Sequence, residues 1–399
     1  MAIKLDINNF NTYNNNNMLI KKKEGDFMKL TINKNILLES LVNVVRAISP
    51  KNIIPILNGI KFELTKEGLN LIASDSDLTI KSFIPSSDIE SIDEEGTIII
   101  QSKYIIDIIR KLPSDLINIE VVDGLKIRIY TDNSQYNLNC LNTEDYPQIA
   151  LEESKNPITI NSEIIKNMIK QTIFAVSIQE SRPLLTGLNL KINGNVMEVV
   201  ATDSYRLAKK TIILENEYPE VVDITIPGKN INEFDKIINE ESDVELHLFS
   251  NKVLFKYRNI IFQSSLLNGN YPDTSNLIPN NFNIIINSSL NNYYASIDRA
   301  ALLTQSKEKN IVRMETNGNV LNVSSFASEI GKVEDKIEIT KNTDEDIAIS
   351  FSSKYMLEAL RTFNDEELLI LLNDDSSPII LKSVQDESLI QLILPIKTY

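Results

Sequence analysis

The chain has 399 residues, a formal net charge of −15, one Cys, one His and no Trp. This length exceeds what one hydrophobic core supports and predicts two or three domains. The lone Cys140 excludes an internal disulfide, the Cys and His counts all but exclude Cys/His metal sites, and 55 Asp+Glu against 40 Lys+Arg is not the footprint of a tight nucleic-acid binder.

Residues 1–27 contain NNFNTYNNNN and the run Lys21, Lys22, Lys23. So few apolar residues cannot offset the entropy of ordering, so this stretch is expected to be a disordered tail, with Met28 as an alternative start. Three lysines are a weak basic tether. The opening MAIKLDINNF has no apolar h-region and no run of the chain reaches the roughly 18–20 residues of a membrane span, so a cytoplasmic protein is expected.

From Met28 onward the chain repeats itself. A helix is expected over 34–48, where Ile36, Leu37, Leu41, Val44, Val45 and Ile48 recur at three- and four-residue steps. Matching helices are expected over 161–176, with Ser162 as the cap, and over 289–305. Period-two strands follow, such as 61–64 and 69–72. Segment 54–85 aligns with 182–213 without a gap: Pro55 with Pro183, Gly59 with Gly187, Asp75 with Asp203. A weaker copy at 311–339 keeps the Gly-Asn-Val turn, Gly318 matching Gly194, but lacks the Pro and the Asp. A second block joins a strand to a short helix at 96–112, 224–240 and 347–363, and paired strands follow each time. The first two blocks lead to Tyr146-Pro147 and Tyr271-Pro272, the third to Leu394-Pro395. Three units result, 28–154, 155–280 and 281–399. Each is α+β, with two helices and antiparallel sheets, because the strands are too close together for parallel crossovers.

Catalytic motifs are missing. No phosphate-cradling glycine loop is present. His247 sits in the alternating strand VELHLF and reads as structural. Asp75 and Asp77 read as a strand-to-turn connection rather than a cation pair, since nothing acidic repeats Asp77. The acidic stretches 344–346 and 374–375 read as solvated loops. Three copies without a catalytic set suggest a scaffold whose geometry is its function. The recurring helices carry Arg46, Lys103, Arg110, Lys111, Lys166, Lys170, Lys229, Lys236, Lys354 and Arg361. An arc with these helices inside would be less negative within than without.

At this point the sequence closely resembles the bacterial DNA sliding clamp, the β subunit of the replicative polymerase. The resemblance runs over 28–399 and rests on IPIL-x-GI (54–60), SDSD (74–77), FAVS-x-QE-x-RP-x-LTG (174–187), ATDS-x-RLA (201–208), YPDT (271–274), IDRAALL (297–303), SSKYMLEAL (352–360) and the terminal SLIQLILPIKTY. It implies the DNA clamp fold: three repeated domains form a crescent, and two crescents join head to tail into a ring around duplex DNA. It implies a non-catalytic processivity factor without a cofactor. Its partners would be the replicative polymerase, an ATP-using clamp loader and other proteins with a clamp-binding peptide. The resemblance assigns a peptide-docking pocket to Leu185, Thr202, Ser204, Tyr205, Arg206, Leu207, Pro272, Leu277, Leu392, Leu394, Pro395 and Ile396. Arg206 and the Thr202 and Ser204 hydroxyls would orient the peptide. The apolar end LIQLILPI is either a pocket wall or simply the last strand. Lys51, Gln179 and Arg182 match DNA-contacting positions, and Leu302 and Leu303 match the dimer joint. Many relatives carry His where this chain has Tyr205, which keeps an aromatic wall but cannot become cationic near neutral pH. Aromatic positions of some relatives are Pro183 and Leu184 here. A phage- or plasmid-type relative that docks partners without loading at the fork is the alternative reading.

Overall fold

The computed structural model describes residues 27–123, 125–304, 310–328 and 330–397; the expected tail, except Phe27, lies outside the described residues. Six α-helices are present among them: α1 (Lys34–Val44), α2 (Ser102–Lys111), α3 (Ser162–Thr172), α4 (Gly228–Asp235), α5 (Leu290–Ala301) and α6 (Ser353–Leu360). They fall two to a repeat, as the pattern requires. The first helix of each repeat is shorter than its apolar periodicity suggests. α1 passes into a 3-10 turn at Val45–Ala47, and α3 into one at Ile173–Ala175. The α3 cap also lies one residue earlier than expected. Asn161 Oδ1 accepts from Glu163 N at 2.8 Å, while Ser162 is buried and donates to Glu240 O at 3.1 Å. Asn and Ser cap equally well, so propensity alone does not choose between neighbours.

Among the described residues every named strand pair is antiparallel, and four sheets result. Two of them cross from one repeat to the next. Strand Ile260–Ser265 lies against Leu78–Pro85, with Phe262 opposite Ile80. Strand Leu389–Ile393 lies against Arg206–Pro227, with Leu392 opposite Leu207. The two junctions repeat bond for bond. Ser265 N donates to Asp77 O at 2.7 Å, and Leu394 N donates to Tyr205 O at 2.9 Å. Just beyond, each returning segment is tied within its own repeat, Leu267 N to Thr225 O at 2.9 Å and Ile396 N to Ser350 O at 2.7 Å.

Residues shared between copies have shared causes. Gly187 opens the strand Gly187–Thr202 where a Cβ would stand 2.6 Å from Thr225 Cγ2 and 2.7 Å from Leu267 Cδ1. Gly59 is likewise pressed against Ile99, so only glycine fits after the Pro55 and Pro183 turns. Gly194 and Gly318 both adopt left-handed backbone, with φ +61° and +57°. One continuous core runs through the first two repeats, where Phe234, Phe255 and Phe262 pack with centroids 4.5–6.0 Å apart. The third repeat has its own core. A smaller cluster joins the last two: Leu185, Val200, Leu207 and Tyr271 pack with Leu371, Ile380 and Leu392. Cys140 is buried, and desolvation pushes its thiol up to about 12, which leaves it inert near neutral pH. Among the described residues no helix is long and apolar enough to cross a membrane.

Candidate functional site

The turn 202–206 organises the junction between the second and third repeats. Asp203 Oδ1 accepts from Tyr205 N at 2.9 Å and Arg206 N at 3.1 Å, an Asx-type turn. Thr202 Oγ1 donates to Arg206 O at 2.6 Å and accepts from Ser204 N at 3.2 Å. Ser204 takes φ +76°, as Ser76 takes φ +79° in the matching turn of the first repeat. There Asp75 Oδ1 accepts from Asp77 N and Leu78 N at 3.1 and 2.8 Å, which supports the turn reading of Asp75.

Arg206 is buried and fully engaged. Nε donates to Asp203 Oδ2 at 3.0 Å, Nη2 to Phe174 O at 2.6 Å, and Nη1 pairs with Glu358 of the third repeat. Phe174 and Tyr355 both lie against the guanidinium, with centroids 5.1 and 4.5 Å away, and Tyr205 stacks on Tyr355 at 6.4 Å. Removing one partner from a buried pair of this kind costs about 3–5 kcal/mol. In this structure Arg206 therefore holds the junction, Thr202 braces the turn, and the exposed polar groups are Ser204 and Tyr205. Beneath them, Gln391 Nε2 donates to Gln171 O at 2.8 Å and to Thr362 Oγ1 at 3.1 Å, a buried tie between the same two repeats.

The structure brings together most of the residues assigned to the pocket. Leu185, Leu207 and Leu392 share the buried cluster, and Thr202 N donates to Tyr271 OH at 3.1 Å. Burial pushes the Tyr271 hydroxyl up to about 12, so it stays neutral. Leu394 is 38% exposed and Tyr205 59%, while Pro395 and Ile396 are half-buried beside them. Pro272 and Leu277 are exposed, and the neighbour Ile278 packs on the cluster. LIQLILPI is thus both things at once: a last strand through Ile393, then an apolar segment at the surface. Sequence reasoning passed over Tyr271, Tyr355, Glu358 and Phe174. Tyr271 carried a signal, since Tyr146-Pro147 repeats it. The others become visible only once Arg206 is seen to reach another repeat.

The remaining assigned residues lie elsewhere. Lys51 and Gln179 are exposed on short turns, their N–H groups bonded to Ser49 Oγ and Ser177 Oγ at 3.2 and 3.0 Å. Arg182 is exposed, with a backbone that is neither helical nor extended (φ −126°, ψ 78°), and donates to Ser204 Oγ at 3.0 Å. Leu302 caps α5 and is 66% exposed, which excludes a core role for it, whereas Leu303 is half-buried. On or at the ends of helices, Lys103, Arg110, Lys111, Lys166, Lys170, Lys229, Lys236, Arg299, Lys354 and Arg361 are exposed, against only Glu39, Asp107, Glu163 and Asp298. The helix surface is therefore net positive in an acidic chain. Arg46 is an exception, half-buried and paired with Glu233 at 3.2 Å.

His247 is buried, and its Nδ1 accepts from Ser154 N at 2.9 Å, tying the inter-repeat linker to strand Asp243–Leu248. Glu153 and Glu245 lie near its Nε2, but the site does not suit a cation. Lys256 Nζ sits 2.9 Å from Glu153 and 3.7 Å from Glu245, so a cation already serves both carboxylates.

Three family models match in chain order. The DNA polymerase III beta subunit N-terminal domain matches residues 28–150, the central domain 159–273 and the C-terminal domain 275–397. The beta sliding clamp of Bacillus subtilis is 37% identical over 378 residues, covering 93% of this chain and all of the relative. Beta sliding clamps of Staphylococcus aureus are 36% identical over 377 residues, with the same coverage. Among solved structures, the DNA polymerase sliding clamp from Bacillus subtilis superposes with a TM-score of 0.90 at 36% identity. The DNA polymerase III beta chain from Streptococcus pneumoniae superposes with a TM-score of 0.89 at 33% identity. Both cover 93% of this chain and all of the solved chain. Nothing in the comparisons supports the phage- or plasmid-type alternative. With its three repeats, their shared junctions and these matches over nearly its whole length, the chain belongs to the DNA polymerase III beta subunit family, the bacterial sliding clamps.

Proposed function

We infer that this protein is the processivity factor of DNA replication, a non-catalytic homodimeric ring that encircles duplex DNA in the cytoplasm and tethers the polymerase. The observation that carries the ring is the repeated junction. Within the chain, the terminal strand of one sheet pairs with the next repeat at both boundaries. The same operation leaves two sheet-terminal strands unused, Gln135–Asn139 in the first repeat and Gly331–Glu338 in the third. Unpaired edges invite another strand, and head-to-tail pairing with a second copy uses both and closes. Each internal junction also carries an ion pair from a turn to the next repeat's second helix: Asp77 to Lys229 at 3.5 Å, and Arg206 to Glu358. By the same rule Gly331–Glu338 meets the partner's first repeat, and the exposed Leu302 belongs to that joint.

The helix cations are the DNA-facing surface of the proposal. Lys51, Gln179 and Arg182 add phosphate-directed contacts that read no sequence. Net acidity elsewhere disfavours tight adhesion, which a sliding ring does not need. The surface formed by Tyr205, Leu394, Pro395 and Ile396 over the Leu185–Leu392 cluster docks the apolar anchors of a partner peptide. A clamp loader supplies the ATP-driven opening. Primer extension on a long template, with the cognate polymerase and loader under single-encounter conditions, tests this reading. Adding the protein is expected to lengthen the products many-fold; unchanged product lengths would overturn it.

A further inference from the structure

Arg182 touches a surface other than the one its sequence position suggests. It stands exposed beside Gln179, in the segment that leads away from α3, yet its Nη1 donates to Ser204 Oγ at 3.0 Å. Ser204 is the left-handed residue of the 202–206 turn, at φ +76°. That backbone costs on the order of 1 kcal/mol for a residue with a Cβ, so the turn depends on its ties. The next residue, Tyr205, stacks on Tyr355 and gives its carbonyl to Leu394 N at 2.9 Å. A short bonded chain therefore runs from Arg182 through the turn to the C-terminal apolar segment. The first repeat lacks this arrangement: the position matching Arg182 is Ile54, although Ser76 has the same backbone.

Arginine binds phosphate through its planar fork, often in bidentate geometry. A duplex phosphate reaching Arg182 would take the fork that now serves Ser204. We propose that Arg182 is a positioning residue that couples the DNA-facing and peptide-docking surfaces through its choice of partner. Without DNA it pins the turn and preorganises the docking surface. With duplex in the ring it turns to phosphate and the turn loosens. The coupling is negative and, by linkage, reciprocal: DNA weakens peptide docking, and a docked peptide weakens the hold on DNA by the same factor. One hydrogen bond is at stake, so the factor is about 3–10. A docked partner would then leave the ring one phosphate contact freer to slide. This inference rests on the ring-and-docking reading above.

The test is fluorescence anisotropy of a labelled polymerase-derived peptide, titrated with the full chain with and without saturating short duplex. Wild type is expected to bind the peptide about 3–10-fold more weakly with DNA present. Ser204→Ala is expected to bind it equally well in both conditions. Arg182→Ala should lose the same DNA dependence and also bind duplex more weakly. A wild type that binds both ligands without any shift overturns the coupling alone. A shift that persists in Ser204→Ala also overturns it, because DNA would then be competing for the docking surface directly. A wild type that binds neither ligand sinks the functional reading, and the coupling with it.

Discussion

Replacing Leu394 and Ile396 together with Ala is expected to abolish docking of a polymerase-derived peptide and to leave the ring dimeric. Both residues follow the last strand, Leu389–Ile393, and both are pinned by backbone: Leu394 N to Tyr205 O, Ile396 N to Ser350 O. Alanine keeps those bonds. Leu394 is already 38% exposed and Ile396 half-buried, so truncation takes little from the core. What it removes is surface that a partner would cover. Truncating an anchor side chain at the centre of an interface costs about 2 kcal/mol or more, so losing both costs about 3 kcal/mol or more, roughly a 100-fold loss of affinity. Neither side chain lies on Gln135–Asn139 or Gly331–Glu338, the edges assigned to ring closure. Calorimetry with the peptide and light scattering on the same sample check both halves. Unchanged peptide affinity would count against the docking surface.

Glu at both Leu302 and Leu303 is expected to give folded monomers. Leu302 is 66% exposed on the isolated chain, an unusual position for leucine at the end of a helix whose other apolar side chains are mostly buried. A joint that covers it gains apolar burial, whereas two carboxylates without partners there cost several kcal/mol. On the order of a 1,000-fold rise in the dimer dissociation constant follows, enough to dissociate a sample well below micromolar if the parent is nanomolar. Light scattering reads the mass, and far-ultraviolet dichroism confirms that the half-buried Leu303 position has tolerated the change. A persistent dimer would show that these leucines are not in the joint.

Much of this fold is legible in the sequence because a repeated residue often has one physical cause. The gapless alignment of 54–85 with 182–213 pairs Gly59 with Gly187, and the structure shows both under close packing; the same register pairs Ser76 with Ser204, whose shared left-handed backbone only the structure reveals. The junctions are less visible. Edge pairing between Ile260–Ser265 and Leu78–Pro85 uses backbone groups that every residue carries, so no side chain announces it. Arg206 shows the limit at the site. The resemblance gave it a free hand for a ligand, but its charge is held by Asp203 and Glu358 and its guanidinium lies against the rings of Phe174 and Tyr355. The same ambiguity applied to the helix cations. Their number was readable, whereas the scarcity of exposed acids beside them required burial to be known. With that known, a net charge of −15 and a DNA-encircling ring are compatible, because the acids lie mostly off the helices.

The central claim is topological, and retention on DNA tests it most directly. The protein, loaded by a compatible ATP-driven loader onto nicked circular DNA and separated from free protein, should remain bound through repeated salt washes. Cutting the circle once should release it from the new ends. Loss from the closed circle at the same rate as from the linear form would contradict encirclement.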